Sequence, residues 1–193
     1  MTDERKIDLP TAEQFDNEVK RVQHQKEYLR ILRSTISSLI VVAAIAVLIS
    51  MLFLPVLRVT GTSMTPTLQN DELVICRKWG DFEQGDVIAF YNNNKILLKR
   101  VIGTPGDWID IKSDGTVYVN GEELDEPYLD EKSFGECDIT LPYQVPESRI
   151  FVMGDHRSTS VDSRSTTVGC IADEYIIGRV MFRIWPWKRI QIM

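Results

Sequence analysis

The stretch ISSLIVVAAIAVLISMLFL, Ile36 to Leu54, decides how this chain of 193 residues is organised. It is 19 residues long and contains no charged side chain. A helix needs about 20 apolar residues to cross the hydrocarbon layer of a bilayer. Soluble helices of this length normally keep a polar face toward water. The stretch therefore predicts a transmembrane helix that divides the chain into two parts.

A cleavable signal peptide is the alternative explanation for such a run. The apolar core of a signal peptide usually has about 7–15 residues, and here the run is longer and about 35 residues precede it. The sequence AIA at Ala44–Ala46 is similar to a cleavage signature, but it lies inside the run. We therefore predict an uncleaved signal anchor over residues 35–57.

The charges that flank this anchor predict its orientation. Five basic residues precede it, namely Lys20, Arg21, Lys26, Arg30 and Arg33. Arg58 alone follows closely, and positive charge is enriched on the cytoplasmic side of membrane spans. We expect a single-pass protein of the cell membrane with residues 1–34 in the cytoplasm. Residues 58–193 would then form an extracytoplasmic domain.

The composition excludes some classes of function. The net charge is −6, and residues 1–34 carry equal numbers of acidic and basic side chains, so the acidic excess follows the anchor. Nucleic-acid binding is not expected, because it usually needs a basic patch. The three cysteines and two histidines lack the spacing of a metal site, so we expect no metal and no cofactor. The sequence leaves the pairing of the cysteines open.

Short β-type runs and turn signals follow the anchor and predict the fold. Asn92–Asn94 and Ser113–Gly115 each separate two such runs, as in β-hairpins. We predict a mostly β fold, with one N-terminal transmembrane helix followed by coiled, partly barrel-like antiparallel sheets. Residues 113–148 include polar, Pro- and Gly-punctuated sequence and are predicted to be an excursion packed on this β core. Two alternatives stay open for IWPW, Ile184–Trp187: aromatics at a lipid interface, or core or edge aromatics around a strand-ending proline.

The segment GTSMTPTL, Gly61–Leu68, offers a serine hydroxyl a few residues after the anchor. A serine nucleophile needs a base to take its proton. His156 is the one histidine that follows the anchor, and its neighbours Asp155 and Asp162 make a Ser-His-Asp arrangement a candidate.

A lysine is the second candidate for the base. Lys99 lies in the apolar run ILLKRVIG, where burial could lower its pKa from about 10.4 to the range of about 7–8 that a general base requires. An edge-strand lysine that extends to water is the competing interpretation. Lys95 would share a sheet face with Lys99, so periodicity alone does not choose between them.

Four segments in this order resemble the bacterial type I signal peptidases of the Gram-positive type, a family of membrane-bound serine proteases. They are GTSMTPTL, GDVIAF, LLKRVIGTPGD and MGDHRSTSVDSR. With the anchor, the resemblance covers residues 36–187. It implies a serine endopeptidase that removes N-terminal signal peptides from secreted preproteins. The alternative is a catalytically inactive, membrane-anchored relative that acts as a scaffold or assembly factor.

The resemblance also implies roles for individual residues. Ser63 would be the nucleophile, Lys99 the general base, and Ser160 would orient the lysine amine. Some members of the family carry a second oxyanion donor, a serine, at the position of Gly61. The Ser63 backbone N–H would therefore be the main oxyanion donor here.

Two ion pairs complete the implied site. Arg100 would pair with Asp155 and Asp162 with Arg164, holding the strands in register beside the serine and the lysine. The family works without a histidine, so the resemblance disfavours His156 as the base. The implied partners are signal-peptide-bearing preproteins, membrane lipid and the secretion translocon.

Overall fold

The N-terminal part of the chain is one long helix. The computed structural model describes residues 11–193, and residues 1–10 of the predicted cytoplasmic segment lie outside the described residues. Helix α1 spans Ala12–Phe53. Thr11 caps its start, because the Gln14 backbone N–H donates to the Thr11 hydroxyl and the Gln14 side chain accepts from the Thr11 N–H. Pro55, two residues after the helix, cannot continue it.

Helix α1 is long and apolar enough to cross a membrane, with a mean hydropathy of 2.2 in its most apolar window. This agrees with the anchor expected from the sequence. The described residues up to Ile49 and residues 50–193 form two compact units, and the second carries all of the described strands.

Twelve strands and two short 3₁₀-helices, Asp173–Tyr175 and Trp187–Arg189, follow helix α1. The strands are β1 (Val56–Arg58), β2 (Leu73–Arg77), β3 (Val87–Asn92), β4 (Lys95–Gly103), β5 (Trp108–Ile111), β6 (Val117–Val119), β7 (Glu122–Glu123), β8 (Tyr143–Gln144), β9 (Arg149–Met153), β10 (Ile171–Ala172), β11 (Ile176–Trp185) and β12 (Gln191–Ile192).

These strands form two antiparallel sheets, so the predicted mostly β fold is confirmed. The larger sheet has the order β1-β2-β11-β3-β4-β9-β10, with β12 paired to β11. The smaller sheet has the order β7-β6-β5-β8. Neither sheet closes into a barrel. The two expected hairpins join β3 to β4 and β5 to β6.

The region predicted as an excursion, 113–148, contains β6, β7 and β8 of the smaller sheet. Its apolar side chains cover one of the three clusters that make up the core. That cluster contains Ile102, Ile109, Val117 and Phe151, with Phe134, Ile139 and Leu141 packed against it. The polar sequence of the excursion therefore still contributes a set of apolar side chains to the β core.

The two tryptophans of IWPW are not core residues. Trp185 at the end of β11 is 46% exposed and Trp187 is 74% exposed. Their rings contact each other edge to face, with centroids 6.3 Å apart. The structure excludes the core alternative and leaves an edge or interface position.

One edge of β4 is only half covered. β3 pairs with Lys95 through Arg100 along one side of β4. On the other side β9 begins to pair only at Arg100. The first part of β4 therefore keeps unpaired backbone groups, and β1 pairs only with β2. The two uncovered edges border a groove of about 640 Å³ that Ser63 also lines.

Candidate active site

A tight turn between β1 and β2 carries the serine predicted as nucleophile. Met64 and Leu68, buried in an apolar cluster, anchor the turn from inside. The Ser63 side chain is half-buried and borders the groove. The Ser63 carbonyl accepts a hydrogen bond of 3.0 Å from the His156 backbone N–H. The Ser63 N–H has no acceptor within the part of the chain described, so it is available to a bound group.

Lys99 is buried, with 2% of the residue exposed. The interpretation of an edge lysine extending to water is therefore wrong for this position. Burial lowers the pKa of Lys99 to about 8, the nearby Asp162 carboxylate opposes this shift, and the Arg164 guanidinium adds to it. A large fraction of this amine is neutral near pH 8, as a general base requires.

Ser160 orients the lysine through a chain of hydrogen bonds. The Lys99 Nζ donates to the Ser160 hydroxyl over 2.9 Å. That hydroxyl gives its own proton to Asp162 over 2.7 Å, so toward the lysine it acts only as an acceptor. Asp162 is fixed in turn by Arg164, whose Nε and second terminal nitrogen donate to its two oxygens over 2.8 and 2.9 Å. The predicted pair of Asp162 and Arg164 is thus present beside the lysine.

Gly154 allows the serine turn to approach Ser160. A Cβ atom added to Gly154 would lie closer than 3.0 Å to both the Ser63 carbonyl oxygen and the Ser160 hydroxyl oxygen. Both oxygens therefore border the space that a side chain at position 154 would occupy. Since Ser160 binds Lys99, the turn with the serine and the buried amine belong to one site. Among the described residues, no hydrogen bond joins the Ser63 hydroxyl to the Lys99 amine directly.

The second predicted ion pair, Arg100 with Asp155, is bidentate and almost fully buried. Arg100 donates to the two carboxylate oxygens of Asp155 over 2.9 and 2.6 Å. It also donates to the hydroxyl of Thr67 in the serine turn over 3.2 Å. The ring of Tyr128 covers the guanidinium at 3.8 Å. This pair connects β4, the serine turn and the loop after β9.

His156 does not contact the serine hydroxyl through its ring. Its Nδ1 lies 3.2 Å from the Thr65 hydroxyl. That hydroxyl already donates to the Thr62 carbonyl over 2.8 Å, so Nδ1 is the donor in this contact. Asp155 and Asp162, the carboxylates that could orient the ring, are engaged by arginines. The Ser-His-Asp arrangement considered from the sequence is therefore not formed.

A third buried ion pair, between Arg157 and Glu126, was not expected. Arg157 also donates to the Gly154 carbonyl over 3.1 Å, and the Tyr128 hydroxyl donates to Glu126 over 2.9 Å. The pair links the excursion to the loop that holds Ser160. Arg157 lies within the stretch MGDHRSTSVDSR, which could have drawn attention to it. No spacing in the sequence marks Glu126 as its partner.

The described residues contain no cluster of three His, Cys, Asp or Glu side chains suited to a metal ion. Cys76, Cys137 and Cys170 are free thiols. Burial raises the pKa of Cys170 to about 11, so this thiol stays protonated near neutral pH.

A buried lysine beside a serine-bearing turn is typical of serine hydrolases that use an amine as base. Comparison with protein families is consistent with this class, since residues 32–185 match the family described as "Signal peptidase, peptidase S26". The chain belongs to this signal peptidase family, and it is a serine endopeptidase.

Individual relatives carry the same description. "Signal peptidase IB" of Staphylococcus aureus (strain Mu50 / ATCC 700699) is 39% identical over 154 residues, which cover 69% of this chain and 78% of the relative. "Signal peptidase I" of Bacillus licheniformis is 37% identical over 170 residues, or 81% of this chain and 90% of the relative. The crystal structure of a signal peptidase I from Enterococcus faecalis V583 matches with 31% identity and a TM-score of 0.45, covering 52% of this chain and 97% of that one.

Proposed function

We propose that Ser63 and Lys99 are the nucleophile and the general base with which this chain removes signal peptides from preproteins. The observation that carries the proposal is the buried Lys99, whose pKa is lowered to about 8 and whose amine is held by Ser160. The His156 ring, the other candidate base, lies against the Thr65 hydroxyl instead.

The reaction begins when neutral Lys99 takes the proton of the Ser63 hydroxyl. The serine oxygen attacks the scissile carbonyl and forms a tetrahedral intermediate. The protonated lysine then gives its proton to the leaving amine, and the acyl group stays on Ser63. Lys99 next activates a water, which hydrolyses the ester and restores the serine. Because Ser160 gives its own proton to Asp162, it accepts an N–H of Lys99 and leaves the amine lone pair free to face the serine.

The Ser63 backbone N–H is the proposed donor to the oxyanion. Removing one such donor typically lowers kcat by about 10²–10³-fold, so its alignment is a large part of the catalysis. Gly61, with a positive φ of 89°, sits two residues before Ser63 and has no side chain to act as a second donor. Its N–H donates to the Asn70 side chain over 2.9 Å, which fixes the entry of the turn.

The substrate is proposed to bind as an extended strand in the groove. The uncovered edges of β1 and of Lys95–Leu98 in β4 offer backbone hydrogen bonds on both sides of such a strand. Shallow apolar pockets for small side chains at the first and third residues before the cut follow from the resemblance. Val59 and Leu98 are among the apolar side chains that border the groove.

The membrane topology is part of the same proposal. Helix α1 would anchor the chain in the cell membrane with residues 1–34 in the cytoplasm and residues 58–193 outside. The span predicted over 35–57 would end earlier than the sequence suggests, because the helix ends at Phe53 and Val56 and Leu57 belong to β1. At no more than about 3.5 Å per residue, the ten residues from the end of helix α1 at Phe53 to Ser63 keep the serine within roughly 35 Å of the helix end. Preproteins leaving the secretion translocon would reach the site on the outer side of the membrane.

A preprotein cleavage assay with the full-length chain tests the proposal. Ser63→Ala and Lys99→Ala should each abolish cleavage, whereas the exposed controls Ser158→Ala and Lys188→Ala should cleave like wild type. Circular dichroism and thermal unfolding would verify that the four variants are folded. Equal processing by the folded Ser63→Ala or Lys99→Ala variant would contradict the assignment. A wild-type chain that fails to cleave any preprotein would favour the scaffold alternative.

A further inference from the structure

The groove is positively charged, in contrast to the rest of its domain. Its lining contains Arg58 and Lys95 but no acidic residue. The residues that follow the anchor carry the whole net charge of −6. Arg58 is paired with Asp71 at 2.7 Å, whereas Lys95 forms no ion pair with any described residue. The groove therefore offers one uncompensated cation.

Lys95 lies at the far end of the uncovered edge of β4. It is four residues before Lys99, a distance of about 13 Å along a strand at about 3.3 Å per residue. Even spacing puts both lysines on the same face of β4. Lys99 is buried beside Ser160, and Lys95 is exposed at the start of the strand. A substrate strand bound along this edge from Lys99 would therefore also lie next to Lys95.

The pairing of β9 with the second half of β4 limits which substrate residues can lie along the free edge of β4. From Arg100 onward β9 occupies the edge of β4, so a strand can add only along Lys95–Lys99. Substrate residues before the cut are the ones that the family recognises, and they would take this free edge. With the residue before the cut beside Lys99, the fifth residue before the cut lies beside Lys95.

We propose that Lys95 is a specificity-determining residue that favours preproteins with an acidic side chain at the fifth position before the cut. The inference rests on the proposed function, because it takes the groove as the path of the substrate. The anion is assigned to the substrate and not to a lipid headgroup, because Lys95 and Ser63 line the same groove. Exposed opposite charges attract weakly, so Lys95 adjusts selection among substrates and does not determine cleavage by itself.

The test uses matched peptides that differ only at the fifth position before the cut, Asp in one and Lys in the other. The full-length chain in non-ionic detergent cleaves both, and the measured quantity is the ratio of kcat/KM for Asp over Lys. We expect Lys95→Glu to lower this ratio about tenfold, because the attraction of one peptide and the repulsion of the other both reverse. Raising the salt from about 0.1 M to about 1 M should remove most of the difference, since the screening length falls from about 10 Å to about 3 Å.

Lys188→Glu is the matched control, since Lys188 is exposed, changes the net charge equally and does not line the groove. It should leave the ratio unchanged. Moving the Asp and Lys to the fourth or sixth position tests the register. A response to Lys95→Glu that is largest at the fifth position supports the inference, and a response confined to the fourth or sixth position overturns the assignment to the fifth. An unchanged ratio at all three positions would overturn it while leaving the proposed function intact.

Vesicles separate the substrate from the lipid as the source of the anion. If Lys95→Glu alters cleavage only in vesicles with anionic lipid, and equally for the Asp and Lys peptides, Lys95 binds headgroups and the inference is wrong. Loss of all cleavage in wild type, or full cleavage by Ser63→Ala, would instead contradict the proposed function itself.

Discussion

Lys99 Nζ and the Ser160 hydroxyl lie 2.9 Å apart, and the hydroxyl proton points away from the lysine toward Asp162. The amine can therefore meet Ser160 only as a donor. A neutral amine has two N–H groups and one lone pair, so this hydrogen bond determines the directions that remain for the lone pair. In the proposed mechanism, the carboxylate of Asp162 would act through the orientation of Ser160 and would not need to reach the substrate.

The activity should increase with pH and reach a plateau. Because neutral Lys99 is the active form and burial lowers its pKa to about 8, kcat/KM should rise through a midpoint near pH 8. Steady-state cleavage of one peptide between pH 6 and pH 10 measures this profile. A midpoint near pH 6.5, the ordinary range of histidine, would contradict the lysine as the base.

Replacing Lys99 by methionine should abolish activity and stabilise the fold near neutral pH. The pKa of Lys99 is lowered from 10.5 to about 8, so the folded state disfavours its charge by roughly 3 kcal/mol at most below pH 8. Between pH 8 and 10.5 Lys99 is largely protonated in the unfolded state and largely neutral in the folded state. The free energy of unfolding of wild type therefore increases as the pH rises through this range. The advantage of Lys99→Met should therefore shrink over that range.

Thermal unfolding of the two proteins at pH 7 and pH 10 measures this difference. Lys188→Met is the control, because removing an exposed charge usually changes stability by less than about 0.5 kcal/mol. A Lys99→Met variant that is less stable than wild type at pH 7 would show that Lys99 stabilises the fold.

Ser160→Ala should lower kcat by roughly 10–100-fold and change KM little. A general base typically accelerates a reaction by about 10²–10⁴-fold, and a base that is no longer oriented loses part of this acceleration. Ser160→Thr keeps the hydroxyl and should recover part of the rate. The exposed Ser158→Ala serves as the control. If Ser160→Ala cleaves at the wild-type rate, the hydrogen bond to Lys99 has no role in the reaction.

His156→Asn should keep cleavage within about tenfold of wild type, since the ring makes one hydrogen bond, to Thr65, worth about 1 kcal/mol. The backbone N–H that holds the Ser63 carbonyl remains in the variant. The midpoint of the pH profile should also stay near pH 8. A loss of several thousandfold in a folded His156→Asn variant would make the histidine the base.

The composition and turn signals of the sequence were sufficient to predict the apolar helix and the mostly β fold, because both depend on local patterns. Strand order was not predictable in this way. β11 lies between β2 and β3, about 100 residues away from them in the chain. Such pairings depend on packing between distant segments, and the local periodicity of the sequence does not predict them.

The candidate site also has features that local sequence patterns predict and features that they do not. Lys99 stood out as a lysine in an apolar run, but alternation alone could not tell burial from an edge position, because that depends on what covers the strand. The ion pair of Arg157 with Glu126 joins residues 31 positions apart. The close approach at Gly154 involves residues that are far from one another in sequence. These relationships arise only once the sheet has formed.

The half-covered edge of β4 also sets a conformational requirement for whatever is cut. A helix has already used its backbone hydrogen bonds, and a strand paired along one side has only its other edge free, whereas the proposed site would bind both edges of the substrate, at β1 and at Lys95–Leu98. A substrate that binds between β1 and β4 as proposed would therefore have to be extended and unpaired at the cleavage point. Mature proteins that fold as they emerge would hide similar sequences from the enzyme. The enzyme would then select its substrates by their folding state as well as by their sequence.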